Sequence, residues 1–123
     1  MTIANVMNEL FKKVGWIALI DMCCDPLGRN AVAPFFYSAF SDATLQADQI
    51  AGLDVVCNPV FYDPAPFIET LKAAHKKDSR TRALLIVPDR DSHAWFKDLK
   101  KSKLFRVVSY YGTEDAIFTY TTD

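Results

Sequence analysis

An amide, a proline and an aromatic ring follow directly on a short apolar run in the middle of this 123-residue chain. The apolar run is residues 53–57, and Asn58, Pro59, Val60 and Phe61 come next. An amide oxygen and a backbone carbonyl accept hydrogen bonds from an amino group, and an aromatic ring can stack on a flat ring. The segment could therefore hold an amino-substituted base. The plain alternative is a turn that ends a buried strand.

A carboxylate and two thiols lie at the end of an earlier apolar run, residues 16–22. Asp21 falls near the end of this run, and Cys23 and Cys24 follow it. A carboxylate at a strand end can bind polar groups of a ligand or cap the next turn, and Asp21 fits both roles equally. Cysteines are more often small buried residues than ligand-binding groups. Asp48, which precedes the second run, fits a cap or a solvent-exposed position better than a ligand contact.

Strands and helices alternate along the sequence, and their order decides where these side chains lie. Apolar residues recur at helical spacing over residues 5–14, and further helices are predicted to begin at Pro64 and after Ser92. Nearly continuous apolar runs predict buried strands, and alternating patterns predict a C-terminal hairpin. The predicted strands are residues 16–22, 53–57, 83–88, 105–111 and 116–121. Residues 23–52, which contain prolines and glycines, are predicted to be irregular.

This layout predicts an α/β fold in which helices cover a mostly parallel sheet that ends in an antiparallel hairpin. In such sheets ligands bind beyond the carboxyl ends of the strands. The loops at residues 21–25, 58–63 and 88–93 follow three predicted strands, and all three contain polar side chains. We therefore expect a binding site at this edge of the sheet.

Composition limits the class of protein further. Half of the residues are hydrophobic and 24% are charged, as in one soluble globular domain. No apolar run approaches the roughly 20 residues of a membrane-spanning helix. The three cysteines are an odd number with two adjacent, which favours a reducing, intracellular compartment over a disulfide framework. The two histidines, His75 and His93, stand alone in the sequence, so we expect no metal site.

The net charge of −1 is small for a protein that binds nucleic acid on its own. Basic residues nevertheless concentrate in two segments, which fit solvated helix faces better than a track for phosphates. The first segment contains Lys72, Lys76, Lys77, Arg80 and Arg82, and the second contains Lys97, Lys100, Lys101, Lys103 and Arg106.

Three segments together resemble the Dam-like adenine methyltransferases of phages, and more closely the methyltransferase-like domains of DIRS-type retroelements. The segments are LIDMCCDPLGRNAVAPFF, ADQIAGLDVVCNPVF and LLIVPDRDSHAWF, and the resemblance covers about residues 10–120. In that family a strand ends in an L-D-A-like segment, the next ends in N-P-P-[YF], and a later strand end is followed by a W-F helix. Asp21, Asn58 and the pair Trp95 and Phe96 fall at the matching positions.

The resemblance implies a Rossmann-like methyltransferase fold, S-adenosylmethionine as methyl donor, and adenine N6 of a nucleic acid, DNA rather than RNA, as acceptor. It places Asn58, Pro59 and Phe61 at the base as catalytic residues. It places the donor near Asp21 and Cys23, with Asp48 as a weaker contact. Val60 stands where the family has a second proline, and this restores a backbone N–H at that position.

Two other interpretations remain open. The domain could be a catalytically inactive module of the same fold that binds nucleic acid or protein within a mobile-element polyprotein, or an unrelated small α/β domain. The predicted last strand, residues 116–121, is apolar, and at a sheet edge it could pair with a second copy to form a homodimer.

Overall fold

The computed structural model describes residues 3–24, 33–38, 47–59, 64–90, 92–111 and 115–121. Within these ranges helices and strands alternate, so the chain has an α/β fold. The helices are α1 (Ile3–Val14), α2 (Ala47–Ile50), α3 (Ala65–Lys77) and α4 (Ala94–Lys101). The strands are β1 (Ile20–Cys24), β2 (Phe35–Ser38), β3 (Asp54–Cys57), β4 (Arg82–Pro88), β5 (Phe105–Tyr111) and β6 (Asp115–Tyr120).

The six strands form one mixed sheet in the order β2-β1-β3-β4-β6-β5. The β2–β1, β1–β3 and β3–β4 pairs are parallel, whereas β4–β6 and β5–β6 are antiparallel. The antiparallel C-terminal hairpin that the sequence predicts is confirmed. Parallel pairing joins four of the six strands, β2, β1, β3 and β4, so the sheet is parallel only in part.

The last strand does not lie at an edge, so the prediction of a homodimer through residues 116–121 is wrong. β6 lies between β4 and β5 and pairs with both. Its backbone groups are thus engaged on both sides and cannot pair with a second copy. The edges of the sheet are β2 and β5. The apolar pattern of β6 reflects burial in the interior of the sheet.

Helices pack on both faces of the sheet because the strands are apolar on both sides. Alternate residues of a strand point to opposite faces, so Leu84 and Leu85 of β4 belong to different clusters of buried side chains. Leu84 packs with Leu10 of α1, whereas Leu85 belongs to the cluster that contains Ile68 of α3 and Phe96 of α4. None of the described helices has both the length and the apolar character needed to cross a membrane.

The predicted strand at residues 16–22 begins later and ends later in the structure. α1 is followed by Gly15, whose φ of +85° suits glycine, and β1 begins only at Ile20. Ile17 is 73% exposed, so the apolar run before Ile20 is not a buried strand. Two short elements, β2 and α2, lie in the segment predicted to be irregular.

Hydrogen bonds join the turns at the amino ends of β3 and β4. The Thr81 hydroxyl accepts a hydrogen bond from the Gly52 N–H (2.7 Å) and donates one to the Asp78 carbonyl (2.7 Å). Thr81 is buried, so these backbone groups have little access to water. Gly52 has a φ of +82°, and a Cβ atom there would lie 2.6 Å from an Asp78 carboxylate oxygen. This end of the sheet is therefore closely packed and fixed.

Candidate functional site

The carboxyl ends of β1, β3 and β4 meet at one edge of the sheet because these strands are parallel. The strand order reverses at this point, since β2 lies on one side of β1 and β3 lies on the other. Such a reversal opens a crevice beyond the strand ends in α/β sheets. Pairing of β1 with β3 ends at Asp21 opposite Val56, although both strands continue beyond these residues. The pairing of the two strands thus stops before the strands themselves end.

Asn58 and Pro59 follow directly after β3, at the mouth of this crevice. Asn58 is half-buried, and its side-chain amide makes no hydrogen bond to any residue that the structure describes. Pro59 is buried and has no N–H, so only its carbonyl can take part in hydrogen bonds. Two acceptors are therefore placed next to each other at the strand end.

Asp21 lies on the neighbouring strand and is buried, with 6% of its surface exposed. One of its carboxylate oxygens accepts a hydrogen bond from the backbone N–H of Cys23 at 3.0 Å. This bond spans two residues and fixes the end of β1 as a turn-like cap, which is the alternative role considered for Asp21. The capping bond engages one of the two carboxylate oxygens.

The thiols of Cys23 and Cys57 connect the ends of β1 and β3, with their Sγ atoms 3.6 Å apart. Both cysteines are free. Burial raises the pKa of the Cys57 thiol well above its usual value, and the contact with Cys23 raises it further. Cys57 is therefore a neutral packing residue at neutral pH. In the sequence, Cys57 is the last apolar residue before Asn58, and this position alone indicated that it lies at the strand end.

Asp48 lies at the opposite end of the sheet, which corrects its assignment as a donor contact. α2 leads through residues 51–53 into the amino end of β3, and Lys77 ends α3 just before β4. A carboxylate oxygen of Asp48 lies 2.6 Å from Nζ of Lys77, and the Asp48 side chain is 76% exposed. The structure separates Asp48 from Asn58 by the length of β3, so Asp48 belongs to a surface ion pair.

The third strand end at this edge is that of β4, and the chain continues from it into α4, which carries Trp95 near its start. The indole Nε1 atom of Trp95 is buried and has no hydrogen-bond partner. Because buried donors are nearly always paired, this N–H is one that an acceptor on a bound ligand could satisfy. Trp95 packs against the main core and also contacts the ring of His93 edge-on, with 6.1 Å between ring centroids. The exposed His93 ring is a surface residue, as the sequence predicts.

Phe61, the predicted stacking ring, lies outside the described residues, as does Val60. Among the residues that are described, no three His, Cys, Asp or Glu side chains cluster closely enough to hold a metal ion. Comparison with known proteins adds nothing to these observations, since no family model, curated protein or solved structure matches the chain.

Proposed function

We propose that this chain is an S-adenosylmethionine-dependent methyltransferase-like domain that acts on adenine N6 in DNA and has a Rossmann-like methyltransferase fold. The supporting observation is the position of Asn58 and Pro59. They lie at the carboxyl end of β3, beside the reversal of strand order, with the Asn58 amide unengaged by the described residues. The resemblance to Dam-like methyltransferases assigns these two residues to the target base.

Adenine presents a chemical difficulty that this pair of acceptors addresses. The lone pair of its exocyclic amine is delocalised into the ring, so the amine is a poor nucleophile. The Asn58 amide oxygen and the Pro59 carbonyl can each accept one N–H of that amine. They would orient the lone pair out of the ring plane and stabilise the positive charge that develops on nitrogen. The base would have to be unstacked or flipped to reach them.

S-adenosylmethionine, when bound, supplies the methyl group. The residues at the reversal point fit such a donor: Asp21 offers a carboxylate to its polar groups, and Cys23 lines the end of β1. The unpaired Nε1–H of Trp95 is a further donor at the same edge. Cys57 and Pro59 flank Asn58 in the sequence and are both buried, so this strand end has little contact with water.

A catalytically inactive module of the same fold is the second candidate. Val60 favours it, because valine has an N–H and a less restricted backbone at the position where the family motif has its second proline. The net charge of −1 also favours it, since an enzyme that holds DNA unaided usually carries a basic surface.

Calorimetric titration with S-adenosylmethionine tests the donor site. We expect saturable binding that Asp21→Asn weakens about tenfold or more, because the variant loses a charge but keeps an acceptor for the Cys23 N–H. Asp48→Asn is the matched control, since it makes the same change at the far end of the sheet and should bind like the wild type. Absence of binding to the wild type, or equal losses in both variants, contradicts the proposal.

A methyl-transfer assay on adenine-containing DNA separates the two candidates. Asn58→Ala should lower the rate by roughly 10²–10³-fold, the usual loss when one aligned polar contact is removed from a reacting centre. Its melting temperature and donor affinity should not change, because the amide makes no hydrogen bond to the described residues. Donor binding without any transfer by the wild type would instead identify the inactive module.

A further inference from the structure

The two basic segments of the sequence meet in a groove at the end of the sheet opposite Asn58. The groove has a volume of about 540 Å³ and takes cationic side chains from both segments. The first segment contributes Arg80 and Arg82, and the second contributes Lys103 and Arg106. None of the described residues that line the groove carries a carboxylate, so this lining is basic even though the net charge of the whole chain is −1.

The sheet forms the floor of the groove where α1 no longer covers it. Leu84 and Ile117 pack against α1, so Arg82 and Thr119, each two residues away along its strand, point to the same face. Arg106 lies directly opposite Thr119 in the β5–β6 pair. In the β4–β6 register Thr119 lies opposite Leu84, so Arg82 lies two residues closer to the amino end of β4 and diagonal to Arg106. Two strand spacings of about 4.8 Å and an offset of two residues, about 6.6 Å, put the backbones of Arg82 and Arg106 about 12 Å apart.

Carboxylates outside the groove hold the first two arginines in fixed orientations. Arg82 uses Nε and Nη2 to donate to Asp54, at 2.7 and 2.6 Å, and Arg80 uses the same two atoms to donate to Asp78, at 3.0 and 2.8 Å. A guanidinium has five N–H groups, so each arginine keeps Nη1 and one N–H of Nη2 for a ligand. The Trp16 ring lies under Arg82, 5.2 Å from the guanidinium carbon, and fixes its plane.

The other two cations have no such partners. Lys103 and Arg106 are exposed, and neither forms an ion pair with a residue that the structure describes. Two oriented guanidinium groups therefore face two uncompensated charges across the same groove. Planar guanidinium groups bind phosphate oxygens in a bidentate manner, and lysine binds them as a point charge.

We propose that this groove binds the phosphates of a single nucleic-acid strand, at a site separate from the candidate methyl-transfer site. The width set by β4, β6 and β5 admits one backbone, whereas a duplex could contact only the rim. The two sites lie at opposite ends of β4, which spans about 20 Å at 3.3 Å per residue. The proposal goes beyond the proposed function, because the groove needs neither the methyl donor nor Asn58.

Fluorescence anisotropy with a labelled single-stranded DNA of about 12 nucleotides tests the groove. Lys103→Glu with Arg106→Glu should lower affinity at least about tenfold and reduce the slope of log K against log salt by about 1.4, which corresponds to two phosphate contacts. Lys97→Glu with Lys101→Glu is the matched control, since it reverses two exposed charges of α4 that do not line the groove. We expect it to retain affinity to within about threefold.

Several outcomes would overturn the proposal. Equal losses of affinity in both double variants would show that the strand is attracted to the overall charge of the protein and does not bind in a defined groove. A duplex that binds as tightly as the single strand, or inorganic triphosphate that displaces the strand at similar concentration, would assign the groove to another ligand. If the Lys103 and Arg106 double variant misfolds by circular dichroism, Arg106→Gln alone should still lower the affinity, and an unchanged affinity would contradict the proposal.

Discussion

The two ends of the parallel strands differ in how the chain joins them. At the amino ends of β3 and β4 the buried Thr81 hydroxyl links two turns, and Asp54 and Asp78 hold arginines in place. At the carboxyl ends, pairing of β1 with β3 stops at Asp21, and Asn58 has an amide that no described residue engages. One end is fixed and basic, whereas the other is open and presents hydrogen-bond acceptors.

This difference fits the two binding sites that we propose within one small sheet. Cations held in fixed orientations suit phosphates. Phosphates carry the same charge whatever the base sequence, so the protein needs to adapt little to bind them. Acceptors beside a crevice suit a neutral amine on a flat ring, which must be admitted before it is held. The fixed end also stabilises the fold, so the open end can keep unpaired polar groups at little cost to the whole.

Removing the Thr81 hydroxyl should weaken the fixed end most. Thr81→Val keeps the shape but leaves the Gly52 N–H without its partner and removes one of the two hydrogen bonds to the Asp78 carbonyl, so we expect a loss of about 1–3 kcal/mol in the free energy of unfolding. Urea denaturation measures this loss. Thr121→Val is the control, since Thr121 is exposed and its side chain should tolerate the change. Equal stability of the two variants would show that the Thr81 hydroxyl does not fix the turns at this end of the sheet.

The thiols at the open end should react at different rates. A Cys24→Ser background leaves Cys23 and Cys57 as the two thiols to compare. Cys23 is half-buried, whereas Cys57 is fully buried and burial raises its pKa. A raised pKa lowers the thiolate fraction tenfold per unit, so we expect iodoacetamide to modify Cys57 at least about tenfold more slowly than Cys23. Peptide mass spectrometry at pH 8, about the usual working pH for thiolate alkylation, measures both rates. Comparable rates would show that the Cys57 thiol at the end of β3 is not buried.

The smallest expected effect concerns the ion pair of Asp78 with Arg80. Their hydrogen bonds lower the pKa of Asp78 from 3.8 to about 2. A carboxylate with a lowered pKa stabilises the fold at pH values above 3.8, and this contribution is lost as the pH falls through about 2. The difference in melting temperature between the wild type and Asp78→Asn should therefore shrink over this range. A difference that stays constant over this range would contradict the assignment.

The sequence predicts the parts of the fold that rest on strong local patterns. Continuous apolar runs locate β3 and β4, and the alternation of β5 and β6 predicts their hairpin. β2 and α2 have only four residues each, too few to show a period, and both lie in a stretch with prolines. The interior place of β6 depends on its pairing with β4, about 30 residues earlier, which no local pattern contains.

For the candidate sites too, the sequence predicts only the positions that local patterns determine. Asn58 follows an apolar run, so its place at a strand end could be read from its neighbours. Asp48 could not be placed in this way, because its position depends on the packing of α2 against α3 and on its ion pair with Lys77. The groove was also hidden, because Arg82 and Arg106 become neighbours only through β6. Two basic segments that each fit a solvated helix face can still combine into one surface.

Each of the two tryptophans of the chain lies at one of the two sites, so their fluorescence tests the central claim most directly. Trp16→Phe leaves Trp95 as the reporter of the open end, and Trp95→Phe leaves Trp16 as the reporter of the groove. We predict that S-adenosylmethionine changes the emission of Trp16→Phe protein, with saturation, and leaves that of Trp95→Phe protein unchanged. A saturable response in the Trp95→Phe protein alone, or in neither protein, would contradict a donor site at the carboxyl ends of the strands.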